Sequence, residues 1–347
     1  MGAVLAALLS GPALHPTPAP AQELRALVTE EGTERPVAGA MVVLTDTLGR
    51  ATDVGLTEES GLATLTALGR GPWRIVVERI GYRTVTAGPL DPAGPGPWTV
   101  QIRVPVEPIQ LEMIEARDDA VCRPDRTGRR SAAVLWDEAR KALERVLWTR
   151  GRPGHRFDVT LFERRLARGG RVLSEQSSQT VSTGLRPFAT APPEWLAEHG
   201  FVDDSGEAPI FYGPDAGILL SDMFAGTHCF YVRESGRRLG LAFEPIDEER
   251  NDIAGTLWLN ARTAALDEIE FHYTGPVAEA TPRRPEGRIH LAEIPGGGWI
   301  VERWWIRQPL YFRRLNGLRR FSGWNEREGR VDAIDPEEPS GPDLEEP

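Results

Sequence analysis

Apolar residues in the first third of the chain come in short bursts separated by Gly- and Pro-rich turns. The bursts are residues 24–28, 40–44, 62–65, 73–77 and 98–104. The turns between them are Pro36-Val37-Ala38-Gly39, Glu59-Ser60-Gly61 and Gly81-Tyr82. Short strands punctuated in this way predict a small, seven-stranded-type β-sandwich over residues 22–105. Pro105, Pro108 and the polar run 115–119 then read as a linker over 106–130. From Ser131, a potential cap, the apolar positions change period. Ala132, Leu135, Trp136, Ala139, Leu143, Val146 and Leu147 recur at spacings of three and four. That spacing predicts one amphipathic helix over 131–148, with its stripe in a core.

Beyond the helix the pattern returns to strands. Residues 157–166 and 172–181 flank Arg168-Gly169-Gly170-Arg171, a hairpin turn whose glycines supply positive φ. Helical turns are expected at 193–199, ending at Gly200, and at 214–224. Strands follow at 239–243, 256–260, 266–273, 288–294 and 299–306, with a weaker one at 318–324. The class is therefore mainly β. An α+β antiparallel sheet or half-barrel over 131–331 packs on the long helix. The acidic, Pro-rich segment 332–347 has too few apolar groups to order itself.

Side-chain alternation gives the second sheet two faces. Ile269, Phe271 and Tyr273 point one way; Glu268, Glu270 and His272 point the other. In 299–306, plain alternation groups Trp299, Val301 and Trp305 with Arg303. Ile300, Trp304 and Ile306 fall with Glu302. Apolar groups on both faces leave two readings. The sheet is simply packed on its helix, or a second apolar face lines a ligand groove. Trp258, Trp304 and Trp305 are the groove candidates.

The N-terminus adds a compartment. Residues 2–9 are small and apolar, Gly11-Pro12 breaks the run, and Ala19-Pro20-Ala21 offers a cleavage site. No Lys or Arg precedes the apolar core. Residues 1–21 are read as a secretory signal peptide, and the mature protein as periplasmic or extracellular and soluble. The apolar run is far below the roughly 20 residues of a membrane span. In such a compartment, the two cysteines, Cys122 and Cys229, are expected to pair. The chain-entropy model values so long a loop at about 4–5 kcal/mol. Their spacing fits neither a zinc ribbon nor a redox C-x-x-C motif.

Formal net charge is −11, from 40 basic and 51 acidic residues, which argues against a nucleic-acid partner. A local basic stretch over 313–330 reads as a solvated strand face. Candidate chemistry is sparse. His155, His199, His228, His272 and His290 show no metal-ligand spacing, and no G-x-S-x-G elbow is present. Gly296-Gly297-Gly298 lies between strands and reads as a hairpin turn. The segment 203–207 reads as a polar turn rather than a calcium loop. Glu268 and Glu270 share a strand face and read as solvated, although paired carboxylates could serve as acid and base. No cofactor is expected.

Three resemblances extend this reading. Thr33, Pro36, Val37, Gly39, Ala40, Gly61, Gly69, Gly71, Trp73 and Gly81-Tyr82 resemble the carboxypeptidase regulatory-like domain, a relative of transthyretin-type and collagen-adhesin B-type sandwiches. Leu62 stands where that family usually has an aromatic residue. The resemblance implies a spacer or contact module and no activity of its own. Asp252, residues 255–260, Thr263 and Leu266 resemble strand pairs of periplasmic lipoprotein carriers. Those are half-open barrels over a helix, with a concave apolar face for acyl chains. The whole chain, including His228-Cys229-Phe230 and Trp304-Trp305-Ile306-Arg307, also resembles uncharacterised bacterial envelope proteins carrying a regulatory-like domain. Together these imply a non-catalytic envelope protein that binds a lipid, a glycan or an envelope protein. A hydrolase with a scattered site and a purely structural or adhesive role are the alternatives.

Overall fold

Strand-length apolar runs and their turns assemble the first module. A computed structural model describes residues 21–68, 71–91, 97–107, 109, 126–152, 155–182, 188, 190–206, 208–313 and 319–336. The first strands are β1 (Gln22–Glu30), β2 (Met41–Thr45), β3 (Ala51–Leu56), β4 (Leu62–Ala67), β5 (Trp73–Glu78), β6 (Val85–Leu90) and β7 (Trp98–Val104). They form two sheets, ordered β4-β1-β7 and β3-β2-β5-β6. Alternation buries Leu24, Ala26 and Val28 from one sheet against Val42, Leu44, Ile75 and Val77 from the other. Each fully buried side chain of this size contributes about 1.5–3 kcal/mol.

Two of these strands lay outside the predicted bursts. Both β3 and β6 are edge strands with largely polar or half-exposed residues. An edge strand is held by backbone pairing on one side and needs no apolar stripe. It also tolerates Gly88 and Pro89.

The rest of the chain comprises α1 (Arg126–Arg150), β8 (His155–Ala167), β9 (Val172–Ser182), α2 (Pro193–His199), β10 (Val202–Asp203), β11 (Ile210–Phe211), α3 (Ala216–Leu219), α4 (Asp222–Thr227), β12 (His228–Ser235), β13 (Arg238–Pro245), β14 (Ile253–Asn260), β15 (Leu266–Tyr273), α5 (Pro276–Glu279), β16 (Glu286–Glu293), β17 (Trp299–Arg313) and β18 (Arg319–Pro336). Nine strands make one antiparallel sheet, ordered β12-β13-β14-β15-β16-β17-β18-β8-β9, that does not close into a barrel. Helix α1 lies on one face, here the inner face. Leu135, Ala139, Ala142 and Leu143 pack there with Leu241, Phe243, Leu257, Ile269 and Ile289. A mainly β chain with an antiparallel sheet packed on one long helix is the expected class.

Boundaries differ in physically informative ways. Helix α1 starts at Arg126, so Ser131 is a buried residue within it and not its cap. The first turn lacks an apolar stripe, and periodicity cannot report it. Strand β18 runs to Pro336, past residue 331 and into the segment expected to be an unstructured tail. There Ile334 pairs with Phe157, and both join a small apolar cluster. The acidic composition masked that pairing. The strand β12 was also missed. Residues 1–20, 110–125 and 337–347, with Cys122 and most of the signal, linker and tail, lie outside the described residues. No helix among the described residues is long and apolar enough to cross a membrane.

A second face of α1 is polar and buried. Glu138 accepts a hydrogen bond from the Gly81 amide at 2.8 Å and pairs with Lys141 at 2.6 Å. Lys141 also donates to the Tyr82 carbonyl at 3.0 Å, and Arg145 to the Glu78 carbonyl at 3.0 Å. Ile80 inserts into the larger core. The turn between β5 and β6 is thus docked on α1, which has the sandwich on one side and the large sheet on the other.

Candidate functional site

A β-bulge decides which tryptophans face the helix side. In the β16–β17 pair, Ile289 opposes Trp304 and Leu291 opposes Val301, with a register shift between His290 and Leu291. Glu302 is the extra residue. Ile289 and Leu291 share a face, so Trp299, Val301, Trp304 and Ile306 all point inward. Arg303, Trp305 and Arg307 point outward. The grouping of Trp299 and Val301 with Trp305 expected from alternation is therefore corrected, because one inserted residue inverts the pattern after it.

The inner face carries a two-part cavity. The larger part has a volume of about 420 Å³ and lies where β17, β18, β8 and β9 are neighbours. Its apolar wall is Leu161, Phe188, Phe211, Trp304 and Ile306. Its polar lining includes Glu163, Gln176, Ser178, Gln308 and Arg327. The smaller part, about 40 Å³, lies between α1 and the sheet, among Leu143, Val146, Ile269, Ile289 and Leu291. Phe188 lines both parts. Its ring meets Trp304 edge-on, with centroids 5.5 Å apart. Gly213 leaves room for Phe188, since a Cβ there would lie 2.6 Å from Cε2 of that ring. Gly329 does the same under Trp304, where a Cβ would lie 2.7 Å from the indole Cε2.

Charges around the larger cavity are unevenly matched. On the outer face of the same strands, Glu328 bonds Arg164 at 2.6 Å and Arg303 at 2.8 Å. Burial raises the Glu328 carboxyl, but these two guanidiniums outweigh it and hold it below its ordinary range. Glu163 accepts from the Asn325 amide at 3.0 Å. Arg327 opposes Glu163 across the β18–β8 pair. It makes no ion pair among the described residues, and its side chain is exposed.

The outer face is different in kind. Trp258 is buried there, donates to Glu270 at 2.8 Å, and carries the Arg238 guanidinium 4.6 Å above its ring. Trp305 lines a cleft of about 250 Å³ with Arg233, Glu270, His272 and Arg288. Burial and Arg284 push His272 below its ordinary pKa. Burial and the Glu244 carboxylate push Tyr231 up to about 12. Glu268 is bound by Arg238 at 3.0 Å, and Glu270 by Arg288. These carboxylates are held in an ion-pair ladder, where they were expected to be solvated.

The three candidate tryptophans are therefore not one groove. Trp304 is on the cavity side, while Trp258 and Trp305 are on the opposite face. Phe188, Phe211, Leu161, Gln176 and Gln308 were not found from sequence, and Arg327 only as part of the basic stretch 313–330. They come from distant segments and carry no local signal. The remaining candidates read as structural. His228 is enclosed, with Nε2 3.3 Å from Asp252 and Nδ1 3.2 Å from the Phe224 carbonyl. Asp203 closes a turn by accepting from the Ser205 amide at 2.9 Å. Among the described residues, no group of three His, Cys, Asp or Glu is placed to hold a metal ion. None of the described cysteines is free.

No protein-family model matches the chain, and no curated protein is significantly similar to it. Solved structures give local likenesses. A type II cohesin–X-dockerin complex from Acetivibrio cellulolyticus aligns at 12% identity over 34% of this chain and 73% of that one, TM-score 0.22. The minor pilin GBS52 of Streptococcus agalactiae aligns at 20% identity over 28% and 48%, TM-score 0.20. A DUF1329 family protein from Desulfovibrio piger aligns at 12% identity over 58% and 93%, TM-score 0.26. At these scores they describe β-rich neighbours, and no function is carried across from them.

Proposed function

We propose that this is an exported, non-catalytic envelope protein whose second module binds an amphiphile of the lipid class in the inner-face cavity. The carrying observation is the shape and chemistry of that cavity. An aromatic and aliphatic wall around Trp304 continues past Phe188 toward a narrow, mostly apolar slot under α1, while Arg327, Gln176 and Gln308 line the wide part. An acyl chain fits the first and an anionic head group the second. The cavity-side carboxylate of Glu163 is engaged by Asn325, while Glu328, next to Arg327 on β18, is held on the outer face by Arg164 and Arg303. In this reading residues 22–105 form a regulatory-like module that braces α1 and offers a contact surface. The Cys122–Cys229 disulfide is part of the proposal.

Native mass spectrometry of the mature protein, purified unreduced from its own envelope, tests all of this at once. The expected spectrum shows a mature start at Gln22, a mass two hydrogens below the reduced chain, and a co-purifying amphiphile. A fluorescent fatty acid should bind saturably, and Trp304→Ala should weaken it about tenfold or more, as expected for losing about 1.5–3 kcal/mol of apolar contact. A bare mass together with no saturable uptake of the probe would end the reading.

A further inference from the structure

We infer that two copies of this chain pair through β9, antiparallel about a twofold axis at Ser177. Among the described residues, β9 pairs with β8 on one side and with no strand on the other. Residues 172–181 are exposed throughout. The other edge of the same sheet, β12, is half-buried over most of its length. A long exposed edge usually carries protection in the form of lysines, a proline or a covering segment. Strand β9 has neither Lys, Arg nor Pro, and one acidic residue, Glu175.

Its sequence is self-complementary. Reflected about Ser177, Ser174 meets Thr180, Glu175 meets Gln179 and Gln176 meets Ser178; the match is confined to this regular run, because Leu173 is a bulged residue between Val172 and Ser174. Hydroxyl faces hydroxyl, and the one carboxylate faces an amide that can donate to it. Shifting the axis by one residue sets Glu175 against Ser177 or against Val181, and its amide partner is lost. Opposed residues in an antiparallel pair lie on the same face. The reflected pairs obey this, because each joins residues an even number apart. A twofold pairing of this kind is isologous, and the two large sheets would run on as one. Gln176 and Ser178 line the inner-face cavity. The axis therefore brings two cavities to a shared boundary, although the pairing itself needs no ligand.

The test is sedimentation velocity on the mature protein, with variants that report register. Gln179→Glu sets a carboxylate against Glu175 of the second copy and should raise the dimer dissociation constant about tenfold. Gln179→Lys should lower it by a similar factor, since each change enters twice by symmetry. Ser177→Cys should give a covalent dimer under mild oxidation, while Ser174→Cys, which faces Thr180, should not. All three positions are exposed, so folding is spared. A wild-type chain that stays monomeric at the highest concentration reached overturns the inference. So does a dimer indifferent to both Gln179 variants. Ligand binding plays no part in either readout, so this result and that of the cavity experiment are independent.

Discussion

Gly39 and Gly297 meet backbone against backbone, one in the sandwich and the other in the β16–β17 turn. Both have positive φ, 63° and 81°. A Cβ on Gly39 would lie 3.1 Å from the Gly297 Cα. Arg79 reaches Glu293 across the same junction at 3.2 Å. A Cβ on Gly297 would fall inside contact distance of the Gly39 Cα, a backbone atom that cannot swing aside.

Gly297→Ala should therefore destabilise the chain by about 2–4 kcal/mol, combining left-handed backbone strain with overpacking. Gly296→Ala is the control. Gly296 also has positive φ, but nothing lies within 4 Å of a Cβ there. It should lose only about 1 kcal/mol. Thermal melts of both variants check this; equal losses would refute a tight junction.

Arg145 presents the opposite case. It is fully buried, and its Nε and Nη1 have no hydrogen-bond partner among the described residues. Burial, with Arg79 nearby, pushes it down to about 9. A depressed basic group binds fewer protons folded than unfolded, so its burial opposes folding at neutral pH. That penalty is relieved only as pH rises from about 9 toward its ordinary value. Arg145→Met should raise stability by about 1–3 kcal/mol in urea titrations at neutral pH. A clear loss would show the guanidinium to be satisfied where it stands.

Glu328 predicts the acid limb. Its folded pKa lies below its ordinary 4.5 because the Arg164 and Arg303 guanidiniums outweigh burial. The stability it contributes is complete above that ordinary value and is lost as pH falls through the lower, folded one. Glu328→Gln should flatten the stability curve in that window and cost about 1–2 kcal/mol at neutral pH. Urea midpoints measured across the acid range decide it. An unchanged slope would count against the pairing.

Sequence by itself determined the elements that bury an apolar stripe. The five bursts of the sandwich, the stripe of α1 and the alternation of Ile269, Phe271 and Tyr273 are written locally, because hydrophobic burial is periodic in the chain. The polar first turn of α1, the edge strands β3 and β6, and the end of β18 are not. Backbone pairing holds them, and backbone is the same whatever the side chain. The site was legible in one residue, Trp304. Its neighbours Phe188, Phe211 and Arg327 become neighbours only when distant strands are placed side by side. Trp305 was separated from it by alternation alone. Trp299 and Val301 were placed with Trp304 by one bulged residue, Glu302. Which face a strand residue occupies depends on register, and register is decided between strands, so tertiary structure alone could settle it.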